Sequence, residues 1–113
     1  MRGMRRVLAA GLLLASSGAW AHAHLKESIP SAGARVSAPP ALTLVFTEAA
    51  RLTALTLTRG AAAPIRLTPP QTAQQRVSVA LPALAPGDYV VRFRALGADG
   101  HLVPGELRFS VLP

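Results

Sequence analysis

From Leu25 onward, proline and glycine punctuate the chain at intervals too close for helices of ordinary length. Pro30, Pro39-Pro40, Pro69-Pro70, Pro82 and Pro86-Gly87 all fall between short runs rich in leucine and β-branched residues, where a missing amide donor does least harm. The pattern predicts strands over residues 25–29, 41–46, 52–58, 65–67, 76–81, 88–94 and 106–112. Alternation is clearest in the sixth of these, where Tyr89, Val91 and Phe93 share one face and Arg92 and Arg94 the other. Leu42, Leu44 and Phe46 form a second apolar face, and Leu107, Phe109 and Val111 a third. About seven short strands with turns at this spacing indicate an all-β, immunoglobulin-like Greek-key sandwich or barrel in one domain. The chain has no cysteine, so packing alone must hold the fold, and any metal site must do without thiolates.

The segment before this domain reads as a signal peptide. Met1-Arg2-Gly3-Met4-Arg5-Arg6 is cationic, the apolar run over 7–15 is too short to span a bilayer, and Ala19-Trp20-Ala21 is a small-x-small cleavage signal. Cleavage after Ala21 removes residues 1–21 and leaves a domain of residues 22–113 starting at His22. A second match, Ala21-His22-Ala23, would start the domain at His24, but it sets a large imidazole inside the signal and lies farther from the apolar run. The leader takes with it Met1, Met4 and Trp20, so the mature domain holds no thioether. It also takes three of the twelve basic residues, leaving nine against five acidic ones. The remaining arginines are scattered and few aromatics accompany them, which argues against nucleic-acid binding. Export to the periplasm is expected, with no stable membrane anchor after the last strand.

Three histidines and five acidic residues carry most of the reactive chemistry of the mature chain. At a mature N-terminus His22 offers an α-amine and an imidazole on one residue, the arrangement of a histidine brace. The third histidine lies in Ala98-Asp99-Gly100-His101, between two predicted strands, with Asp99 and His101 spaced to point to the same side. Amine, two imidazoles and a carboxylate form a mixed N,O set that suits tetragonal Cu(II) better than Zn(II) or Cu(I). Each feature also has a plainer explanation. Asp-Gly is turn chemistry, and a terminal histidine is commonly a solvated end. Against this stands the coincidence that every histidine falls where a terminal amine and an Asp-x-His loop could converge. A further alternative uses His24: a free terminus with histidine third is a chelator that recruits the amide nitrogens of residues 23 and 24 and excludes Asp99 and His101.

His22-Ala23-His24-Leu25, Ser28-x-Pro30-x-x-Gly33, Phe46-Thr47-Glu48, Pro86-Gly87-x-Tyr89 and Asp99-Gly100-His101 together resemble the CopC copper-resistance proteins, in order and spacing, from His22 to Leu112. The resemblance implies a compact Greek-key β-barrel or sandwich that binds Cu(II) near one end. By the same resemblance His22 gives amine and imidazole nitrogens, His101 the second imidazole, and Asp99 an oxygen at or near the metal. Glu48 is implied to lie close enough to hydrogen-bond the site or contribute weakly, and His24 is a possible neighbour at the rim. The sequence departs from the family pattern at Phe93, where a tryptophan is usual, at Leu102, where proline often follows the histidine, and at Gly97, where serine is common. The Met-rich Cu(I) site of one branch cannot be built here.

The function expected is copper(II) sequestration, tolerance or delivery without turnover, with the copper ion as ligand and a CopD-like inner-membrane protein as the implied partner. Two alternatives belong to other classes. A histidine brace also serves oxidative copper enzymes, but those need an open aromatic face, and periodicity assigns most aromatics here to the core. A metal-free interaction sandwich remains compatible with the architecture. No serine-histidine-acid trio, phosphate loop or dinucleotide fingerprint occurs.

Overall fold

Extended backbone dominates the computed structural model, which describes residues 23–113; the leader and His22 lie outside the described residues. Seven strands follow in order: β1 (Leu25–Ile29), β2 (Arg35–Val36), β3 (Ala41–Arg59), β4 (Ile65–Arg66), β5 (Gln74–Ala80), β6 (Gly87–Gly97) and β7 (Leu102–Val111). No helix occurs among the described residues. The sheet runs β1-β3-β6-β7-β2, with β4 and β5 also pairing with β3.

The expected strands 41–46 and 52–58 are one continuous strand of 19 residues. Thr47, Glu48 and Ala49 interrupt the apolar alternation and suggest a break. Partners grip that stretch at both ends: Thr47 N–H bonds the His24 carbonyl, Ala50 pairs with both Gln74 and Gly97, and Arg51 with Leu96. The first half of β3 lies between β1 and β5, and the second half between β6 and β4. One bent strand thus belongs to both layers of the sandwich.

A bulge corrects the register inside this strand. Leu52 and Leu55 are three residues apart, which in a regular strand would set them on opposite faces. The irregularity between Leu52 and Ala54 inserts one residue against β6, and both leucines end up buried. The rest of the core is as the alternation predicts: Leu42, Leu44, Phe46, Tyr89, Val91, Phe93, Leu107, Phe109 and Val111 are all buried. Phe46 meets Phe93 edge-on with ring centres 5.6 Å apart, and Tyr89 stacks on Phe109 at 5.5 Å. The Tyr89 hydroxyl donates to the Ala85 carbonyl at 2.6 Å, pinning the turn that enters β6.

Strand β7 begins four residues before its expected start at Glu106. Pro104 and Gly105, left outside the expected strand, both pair with β6, opposite Arg94 and Phe93. Proline is tolerated because β2 covers only Ser110 and Val111, so the other edge of β7 is open at Pro104. Gly105 is required for a different reason. A Cβ there would sit 2.1 Å from Cζ of Phe93, whose buried ring is held by Phe46 and cannot swing aside. Gly105→Ala is therefore expected to lower the unfolding free energy by about 1–3 kcal/mol in a urea titration. In a Phe93→Leu background the same change should cost markedly less, because the obstructing ring is gone.

Candidate metal centre

The hairpin joining β6 to β7 is closed by two backbone hydrogen bonds. Gly100 N–H donates to the Gly97 carbonyl at 3.0 Å, and Gly97 N–H to the His101 carbonyl at 3.1 Å. Gly100 adopts φ = 84°, a left-handed conformation that explains glycine at this position. Asp99 reinforces the turn: its Oδ1 accepts from the His101 backbone N–H at 3.1 Å. The turn chemistry is thus real, and it does not exclude a site, because the same carboxylate also reaches the imidazole. Oδ2 of Asp99 lies 2.7 Å from Nδ1 of His101.

The two side chains of this pair differ in exposure. The imidazole is 65% exposed and the carboxylate 19%, so a sheltered anion grips a ring that stands open to solvent. With Nδ1 held, Nε2 is the nitrogen directed away from Asp99. A carboxylate bonded to one imidazole nitrogen fixes the ring's orientation and strengthens the other nitrogen as a donor to a metal.

The N-terminal arm reaches the same end of the sandwich by way of β3. Leu25 pairs with Phe46, and His24 then makes two backbone contacts with the next residue: its N–H donates to Thr47 Oγ1 at 3.0 Å, and its carbonyl accepts from Thr47 N–H at 2.8 Å. Ala23 is buried within the core cluster. On the other side of the bend, Ala50 pairs with Gly97 at the base of the Asp99–His101 hairpin. Strand β5 pairs on the edge opposite to both, so residues 46–50 carry the arm, at Thr47, and the base of the hairpin, at Ala50, in succession along one edge of the strand. His22 lies outside the described residues, two positions beyond His24, a reach of at most about 7 Å.

Asp99 and His101 are brought into contact. Glu48 is half-buried on the bend of β3 and His24 is exposed beside it. Among the described residues no three His, Asp or Glu side chains are grouped closely enough to hold a metal ion. The role of Thr47 as anchor of the arm escaped the sequence reading, in which it was one element of a motif. Its only sequence signal is a hydroxyl next to the break in alternation at Phe46. All four remaining aromatics, Tyr89, Phe46, Phe93 and Phe109, are buried, so they form no exposed aromatic platform.

Thr47→Val removes the acceptor of the His24 amide. Hydrogen exchange at that amide is expected to speed up by roughly fivefold, the equivalent of about 1 kcal/mol for one hydrogen bond, while amides of β6 keep their protection.

Residues 25–112 match the family model of the CopC domain. Protein YobA of Escherichia coli K12 is 33% identical over 105 residues, covering 87% of this chain and 85% of its own length. The fold is similar to the crystal structure of CopC from Methylosinus trichosporium OB3b, with a TM-score of 0.72 and 28% identity over 81% of this chain and 95% of that one. It is also similar to PcoC, a methionine-rich copper resistance protein from Escherichia coli, with a TM-score of 0.61 and 30% identity over 80% of this chain and 99% of that one.

Proposed function

The chain belongs to the CopC family, and from that membership we propose that it is a periplasmic copper(II)-binding protein that sequesters the ion or hands it to a membrane partner, without turnover. The ion is held at the end of the sandwich where the N-terminal arm and the β6–β7 hairpin meet. His22 contributes its amine and imidazole, His101 its Nε2, and Asp99 an oxygen at or near the ion. The observation that carries this reading is the 2.7 Å contact between Asp99 and His101 on a hairpin one strand away from the anchored arm.

Chemistry and geometry support the details. The domain after the leader has neither cysteine nor methionine, so its donors are nitrogen and oxygen, which favour Cu(II) over Cu(I). In this it differs from the methionine-rich PcoC. Chelation by the His22-Ala23-His24 tail would need the amide of His24 as a ligand, but that amide donates to Thr47. It would also draw the buried Ala23 out of the core. The brace leaves both contacts in place. Asp99 can serve without rearrangement by holding Nδ1 of His101, and Glu48 on the adjacent bend lies within the same end of the fold as an outer neighbour.

The test is a Cu(II) titration of protein starting at His22, read by electron paramagnetic resonance. His101→Ala should weaken binding by at least about 100-fold and change the spectrum, and Asp99→Asn should weaken it by roughly 10- to 100-fold. His24→Ala should leave both nearly unchanged. One extra residue ahead of His22 should abolish the tight site. If His24→Ala is the damaging change and His101→Ala is silent, copper sits on the tail and the brace is wrong. Binding must displace protons from the amine and the imidazoles, so affinity should fall as the solution is acidified.

A further inference from the structure

On the outer face of the larger layer, arginines gather around a depression. Their positions follow from the register. Arg66, Thr56, Arg92 and Glu106 stand side by side across β4, β3, β6 and β7, and Ala54, Arg94 and Pro104 form the adjoining row. A groove of about 540 Å³ lies here, its small residues Ala54, Pro104 and Gly105 flanked by Arg92, Arg94 and Glu106. Exposed Leu102 continues the same face of β7 toward the hairpin.

Charge on this face is unbalanced. Glu106 is shared by Arg92 and Arg108, each at 3.0 Å, so one carboxylate answers two guanidinium groups. Arg94 and Arg66 make no ion pair among the described residues. We infer that this groove docks an extended acidic segment of a partner protein. A guanidinium fork matches a carboxylate with two parallel hydrogen bonds. An extended chain projects side chains alternately, so acidic residues can meet Arg94 and Arg92 while apolar ones settle over Ala54 and Pro104. A shallow groove whose floor between the arginines is small and apolar suits the alternating side chains of a peptide better than lipid headgroups, which need cations spread over a plane. Arg35 and Arg76 lie on other strands, β2 and β5. The same hairpin ends in Asp99 and His101, so a segment held at Arg94 is beside the proposed copper end.

The experiment uses metal-free mature protein, so its result is independent of copper binding. An acetylated, amidated eight-residue peptide of alternating Glu and Val is titrated into isotope-labelled protein and followed by amide shifts. Shifts confined to residues 54–56, 92–94 and 102–106 are expected. Arg94→Glu should weaken binding about tenfold or more, Arg76→Glu on β5 should leave it unchanged, and added salt should weaken it. Shifts elsewhere, or equal binding by the Arg94→Glu protein, would overturn the proposal. So would displacement of the peptide by vesicles of phosphatidylglycerol with Arg94-dependent vesicle binding, which would make the face a membrane contact.

Discussion

Strand β3 is the element on which the rest depends. It runs unbroken for 19 residues, pairs in its first half with β1 and β5 and in its second half with β6 and β4, and so stitches two layers together without a disulfide. Its inward residues, from Leu42 through Leu57, supply a large share of the buried core. A chain without cysteine has only this kind of packing to offset its conformational entropy, and the aromatic contacts Phe46–Phe93 and Tyr89–Phe109 lie where β3, β6 and β7 face inward. Close packing also explains the intolerance at Gly105, where the Phe93 ring fills the space a side chain would need.

The bend of β3 does a second job. Between Phe46 and Ala50 the strand leaves one layer for the other, and along that stretch it carries the N-terminal arm and then the base of the β6–β7 hairpin on the same edge. A rigid, hydrogen-bonded strand is a better spacer than a loop for donors that come from opposite ends of a sequence. His24 and Thr47 lock the arm by two hydrogen bonds, one to the threonine hydroxyl and one between backbones, and Asp99 holds the ring of His101. A turn-forming role and the proposed metal-site role coincide in Asp99, because a carboxylate has two oxygens: one caps the turn and the other orients the imidazole. Beyond the hairpin, the same two strands turn an arginine-lined face outward, so the proposed donors and the proposed docking surface share one hairpin.

Much of the fold was legible in the sequence. Strict alternation in β6, in the first half of β3 and in the last half of β7 identified which side chains would be buried, and the structure agrees at each. Asp99-Gly100 announced the turn, and the absence of thiol, and of thioether beyond Met4, limited the donors of the folded domain to nitrogen and oxygen. The errors fell where local rules were overridden by pairing. Glu48 and Ala49 looked like a gap between strands and Pro104-Gly105 fell before the expected last strand, yet the first stretch is gripped at both ends and the second is paired with β6. The two-residue strand β2 offered no periodicity to detect.

By itself, the sequence determined the alternation of faces, the sites of the turns, the donor chemistry and, through its ordered motifs, the family. Each of these depends on residues close together in the chain or on their mere presence. Tertiary structure alone decided that β3 is continuous, that a bulge turns both Leu52 and Leu55 inward, and that His24, Thr47, Ala50 and Gly97 line up across neighbouring strands. Those outcomes rest on pairings between residues some 20 to 50 positions apart, where register follows from burying all the apolar faces at once and no local pattern encodes it.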